Sequence, residues 1–144
     1  MSFFDSMNIV GSALTAERLR MDVSLQNIAN ANTTRTKTGE PYRRKQVVFQ
    51  ERAMSFKDVL STEQYRMQGG GVRVTRVVES DRDFVPVYDP SHPDANEEGY
   101  VMMPNVDTTE ERIDLMAASN AYEANLTALS VVKSLALKAL EIGK

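Results

Sequence analysis

Two apolar stripes at opposite ends of the chain constrain its folding more than any other feature. Between residues 2 and 30, Phe4, Met7, Leu14, Met21, Leu25 and Ile28 recur every three or four positions, with Gly11 and Arg18 at the two remaining seam positions. That spacing lines them along one side of a helix roughly 40 Å long. From Asp107 onward, Leu115, Ala118, Tyr122, Leu126, Leu129, Val132, Ala136 and Leu140 recur at a mean interval near 3.6. They predict a second helix of about 34 residues, some 50 Å long. Asn27, Asn30 and Asn32, followed by Thr33 and Thr34, stop the first helix, because short polar side chains compete for backbone hydrogen bonds. Asp107-Thr108-Thr109-Glu110 is a capping box for the second, and Gly143 suits its end.

Between the stripes the pattern changes. All five Pro residues lie between 33 and 106. Residues 46–49, 72–78 and 100–103 are β-prone runs, separated by long connections over 51–71 and 80–98, the first with room for a short helix at 56–65. The expected fold is mainly α with a small β-containing insertion. Residues 1–32 and 107–144 form long N- and C-terminal helices packed as a coiled-coil-like pair, and 33–106 an irregular, partly β central domain.

Neither helix can bury its stripe alone. Packing the two together still exposes their flanks. Two arrangements remain open: a helical hairpin covered by its own β part, or a pair completed by helices of other chains. Hydrophobic residues make up 42% of the chain and aromatics 7%, with no Trp and eight Met, which suits helix packing better than a rigid β core.

Chemistry finds no foothold. Without Cys, thiol catalysis and thiolate metal sites are excluded. His92, the one histidine, sits in Asp89-Pro90-Ser91-His92-Pro93 and reads as a turn residue. Gly69-Gly70-Gly71 lacks the Gly-Lys-Ser/Thr ending of a phosphate loop and precedes a strand. Asp81, Asp83, Glu97 and Glu98 lack cation-loop spacing and read as a solvated face. We therefore expect no catalytic residues, no cofactor and no metal. A net charge of −3 gives no basis for nucleic-acid binding. The basic cluster Arg43-Arg44-Lys45 is expected to pair with carboxylates of a neighbouring chain. No run is apolar enough for membrane insertion, and the opening residues lack the pattern of a cleaved secretory signal.

The order of the motifs resembles the flagellar basal-body rod proteins. SLQNIANANTTRT (24–36) is similar to the turn after the first helix in that family, with Asn27-Ile28-Ala29-Asn30 at its centre. PYRRKQVVFQ (41–50), GGVRVTRVVES (70–80), VYDPSHPDAN (87–96) and GYVMMPNVD (99–107) follow in order, and they resemble a proximal-rod subunit in particular. NAYEANL (120–126) resembles the family's C-terminal Tyr-Gln-Ala-Asn motif, with Glu123 in place of Gln.

The resemblance implies that the terminal helices pack into the inner layer of a hollow helical tube, with the middle segment as an outer domain. It implies contacts with copies of this chain, other rod subunits and basal-body ring or adaptor proteins. It places the chain in the periplasmic part of the basal body, reached through the flagellar type III channel without a cleaved signal. Leu14, Met21, Leu25, Ile28, Leu115, Tyr122, Leu126, Leu129 and Val132 are expected to pack in the helical seam. Asn27, Asn30 and Asn125 are assigned to turn and interhelix hydrogen bonds. Another rod or hook-junction subunit, or a soluble helical adaptor, would share the terminal pattern.

Overall fold

A computed structural model describes residues 3–52 and 70–142. The elements in chain order are α1 (Phe3–Ala29), β1 (Lys45–Glu51), β2 (Val72–Glu79), β3 (Val85–Tyr88), β4 (Tyr100–Met103) and α2 (Thr108–Ile142). The protein is mainly helical, with a small antiparallel β insertion. The short helix expected at 56–65 lies outside the described residues.

Both helix boundaries have local causes. At the end of α1 the Asn30 side chain donates to the Gln26 carbonyl at 2.8 Å, and Thr33 N–H bonds the Asn30 carbonyl at 3.0 Å. The chain is thereby diverted into a turn while the last helical carbonyls stay satisfied. At the start of α2, Asp107 Oδ1 accepts the Thr109 N–H at 2.8 Å and the Glu110 N–H at 3.4 Å. Asp107 is thus the N-cap. The Glu110 side chain, however, bonds arginines rather than reaching back to complete the box.

The four strands form two separate two-stranded sheets, β1 with β2 and β3 with β4. In the second, Val85 faces Met103, Pro86 faces Met102, Val87 faces Val101 and Tyr88 faces Tyr100. Strand β3 falls inside the connection expected over 80–98. Pro86 interrupts its short apolar run and argues against a strand, but an edge strand tolerates a residue that cannot donate. Gly99 closes this hairpin with φ +82°, and a Cβ there would come within 2.9 Å of the Tyr88 ring.

The described residues make two compact units. One comprises residues 3–19, 48–52, 70–76 and 118–142. In it Ala16 and Ala118 are buried, and Val72 N–H donates to the Ser12 hydroxyl at 3.1 Å. Gly71, at φ +86°, sits where a Cβ would press on the Ser12 side chain, so glycine enters β2 here without the strain another residue would meet. The other unit comprises residues 20–47 and 77–117. It buries Val23, Ser24, Asn27, Tyr42, Arg44, Val101, Asn105 and Glu111.

Candidate functional site: a buried polar knot and an exposed helical surface

The second unit is centred on polar groups. Asn27, near the end of α1, uses its whole hydrogen-bonding capacity. Its amide donates to the Lys45 carbonyl at 2.8 Å and to Glu111 Oε2 at 3.0 Å. Its oxygen accepts the Lys45 N–H and the Tyr42 hydroxyl, both at 2.9 Å. Arg44 spreads its guanidinium over three carboxylates of α2. Nε bonds Glu111, Nη1 reaches Glu110 at 3.1 Å, and Nη2 reaches Asp114 at 3.1 Å. The Arg44 N–H donates to Asn105 Oδ1 at 2.8 Å, and the Asn105 amide donates to the carbonyls of Ser80 at 3.3 Å and Arg82 at 2.7 Å.

The outer ring completes the charge balance. Arg82 bonds Glu110 at 2.9 Å and Arg20 bonds Asp114 at 3.3 Å. Arg20, Arg44 and Arg82 thus face Glu110, Glu111 and Asp114, three cations on three anions. Such balance is what makes burial tolerable, since a lone buried charge costs several kcal/mol. Arg44 and Glu111 are only 3% and 1% exposed. Burial opposes the Arg44 charge, but its bond to Glu111 and the nearby carboxylates outweigh it and hold the guanidinium proton more tightly than usual. The Arg82 bond draws the Glu110 carboxyl below its ordinary range. Burial, and then the Glu111 charge, push the Tyr42 phenol up.

These contacts correct one expectation. Arg44 is committed inside its own chain, not to a neighbour's carboxylate. Arg43 lies over the Phe84 ring at 4.3 Å, and Lys45 over Tyr42 at 5.6 Å. The alternation Tyr42-Arg43-Arg44 at the root of a strand turns Tyr42 and Arg44 the same way. That cue, with Glu110, Glu111 and Asp114 on adjacent helical turns, could have pointed to the knot.

Along α1 Ser6, Ile9, Ala13, Ala16, Arg20, Val23 and Asn27 are all buried or half-buried and lie on one line, alternating steps of three and four. Leu14, Met21 and Ile28 lie half-buried beside it, whereas Leu25 is 51% exposed. Small and polar residues hold the centre of this face, and the large apolar residues lie at its margin. Along α2 the corresponding line is Glu111, Leu115, Ala118, Tyr122, Asn125, Leu129, Val132 and Ala136. Within one chain it passes through Asn125, and Leu126 is 44% exposed. Asn27 bonds Glu111 of α2, and the Asn30 side chain bonds the Gln26 carbonyl.

Much of α2 remains uncovered on its other sides. Ile113, Met116, Val131, Leu135, Leu137 and Leu140 are each more than half exposed. Among the described residues no helix is long and apolar enough to cross a membrane, and no group of three or more His, Asp or Glu could hold a metal.

This architecture has relatives. Residues 7–37 match the family described as flagella basal body rod protein, and residues 97–142 match the C-terminal region described as that of flagellar basal body rod FlgEFG protein. Both matches fall on the terminal helices and their flanks, and so define a protein of the flagellar basal-body rod class. Over full length, the chain is 49% identical to flagellar basal-body rod protein FlgC of Bacillus subtilis, covering all of both chains. It is 42% identical to that of Escherichia coli O6:H1, again over all of both, and 40% identical to that of Borreliella burgdorferi over 99% of this chain and 98% of that one. The chain belongs to the FlgC family of flagellar basal-body rod proteins.

Proposed function

We propose that this chain is a structural subunit of the flagellar proximal rod, where it assembles with other rod subunits and catalyses nothing. The observation that carries the reading is the set of exposed Leu, Val, Ile and Met side chains on more than one side of α2, in a member of a rod-protein family. Large apolar side chains left open along a long helix mark contacts with other proteins. In this reading Leu25 and Leu126, exposed in the single chain, join Leu14, Met21, Ile28, Leu115, Tyr122, Asn125, Leu129 and Val132 in packing that neighbouring subunits complete. Different sides of the helices meet different neighbours, since a head-to-tail contact that does not close generates a helical tube.

The neighbours are copies of this chain, other rod subunits and, at the base, ring or adaptor proteins. The assembled subunit stands in the periplasmic space, reached by flagellar export without cleavage. The mass of the chain recovered from purified basal bodies tests that last point, because a shortened N-terminus would contradict it. The reading as a whole is tested by electron cryotomography of cells lacking this chain. The membrane ring is expected to remain, with the rod and everything outward of it missing. Complete rods in such cells would overturn the assignment.

A further inference from the structure

We propose that the knot around Arg44 and Glu111 is a register lock, which fixes where α1 stands along α2. A heptad stripe on each helix does not by itself select one alignment. Sliding one helix past the other by seven residues, about 10 Å, again sets stripe position against stripe position. In the slip that sets Asn27 against Ala118, Val23 would meet Tyr122 and Ala16 would meet Leu129, so these apolar members do not oppose it.

The polar members discriminate. Asn27 bonds Glu111, and Arg20 bonds Asp114, so the helices run antiparallel in this unit. After a slip of one heptad, Asn27 would oppose Ala118 instead of Glu111. Its amide would then lose an acceptor, and Arg44 would lose its buried carboxylate. The strands reinforce the alignment from both sides. Tyr42, Arg44 and Lys45 travel with α1, because Asn27 holds both the Lys45 backbone and the Tyr42 hydroxyl. Asn105, six residues ahead of Glu111, travels with α2 and holds the carbonyls of Ser80 and Arg82. The Arg44–Glu111 and Arg44–Asn105 bonds join these two sets, so a slip must break all of them together. Buried polar groups serve in this way in coiled coils, where they set register at some cost in stability.

The absence of cysteine makes the register readable. Arg20→Cys with Asp114→Cys reports the native alignment through a short bis-maleimide cross-linker. Arg20→Cys with Ala121→Cys, or with Asp107→Cys, reports a slip of one heptad either way. Each pair is placed in the full chain, expressed in cells, with and without Arg44→Met plus Glu111→Met. That double change removes the ion pair without leaving one charge buried.

The expected result is cross-linking of the native pair alone in the parent. In the double variant the full-length chain persists, but a slipped pair cross-links as well and swimming is lost. Native-only cross-linking with normal swimming in the double variant would overturn the proposal. So would degradation of the double variant, because the knot would then supply the fold's stability and not its register. Cross-linking reads register directly, so it stands apart from whether the chain builds rods.

Discussion

The two units are built on opposite principles. The unit of residues 20–47 and 77–117 spends its interior on a saturated set of polar bonds, each donor and acceptor of Asn27 and each nitrogen of the Arg44 guanidinium having a partner. Among the described residues of the other unit, only the small side chains of Ala16 and Ala118 are buried, and its α2 segment presents Val131, Leu135, Leu137 and Leu140 outward. One unit completes its own interior. The other leaves most of its α2 surface open, which in the proposed reading neighbouring subunits cover. A subunit that must join a polymer needs both: a part that defines shape, and a part whose burial comes from the polymer.

The contrast can be broken most severely at Glu111. Glu111→Ala leaves the Arg44 guanidinium buried without its closest anion and is expected to destabilise the second unit by about 3–5 kcal/mol. Chemical denaturation followed by circular dichroism measures it, and a loss below about 1 kcal/mol would show that the knot is peripheral. Asn105→Ala removes the acceptor of the Arg44 N–H and the donor to two carbonyls, with an expected cost of about 1–3 kcal/mol in the same assay. Leu126→Asp should reverse the pattern. Leu126 is already exposed, so the free chain is expected to change by no more than about 0.5 kcal/mol, while rod assembly and swimming are abolished. Normal motility in that mutant would remove Leu126 from the assembly surface.

The smallest effect is a pH dependence at the start of α2. The N–H groups of Thr109, and then Glu110, bond the charged form of Asp107 and lower its pKa. A lowered folded pKa means that this cap contributes fully above the ordinary carboxylate value of about 4, and is lost as pH falls through the folded value. Amide exchange at Thr109, corrected for its intrinsic pH dependence, should therefore accelerate on acidification in the parent. It should be fast at all pH values in Asp107→Ala. Identical behaviour in the two chains would show that Asp107 does not cap.

What could be read from the sequence follows from range. Both helices, their ends at Asn30 and Asp107, and the strands at 45–51, 72–79 and 100–103 rest on local periodicity, turn residues and caps. Strand β3 was hidden because Pro86 speaks against a strand until an edge position is known. The knot was hidden because its members, Asn27, Tyr42, Arg44, Asn105 and Glu111, lie far apart in sequence, and nothing local pairs Asn27 or Arg44 with the other three. The centre of the α1 face was hidden because Ala16, Ser24 and Asn27 carry little hydrophobic weight, although small side chains are what allow close helix approach. The large apolar residues that were conspicuous, Leu25 and Leu126 among them, mark surfaces that a single chain leaves open.

The most direct test of this division is hydrogen exchange by mass spectrometry on the free chain and on the chain in purified basal bodies. Amides of residues 3–19 and 118–142 are expected to exchange rapidly in the free chain and to be strongly protected in the basal body. Those around Asn27, Arg44 and Glu111 should be protected in both. Uniform protection of the free chain would contradict the account, because the terminal helices would then need no neighbours.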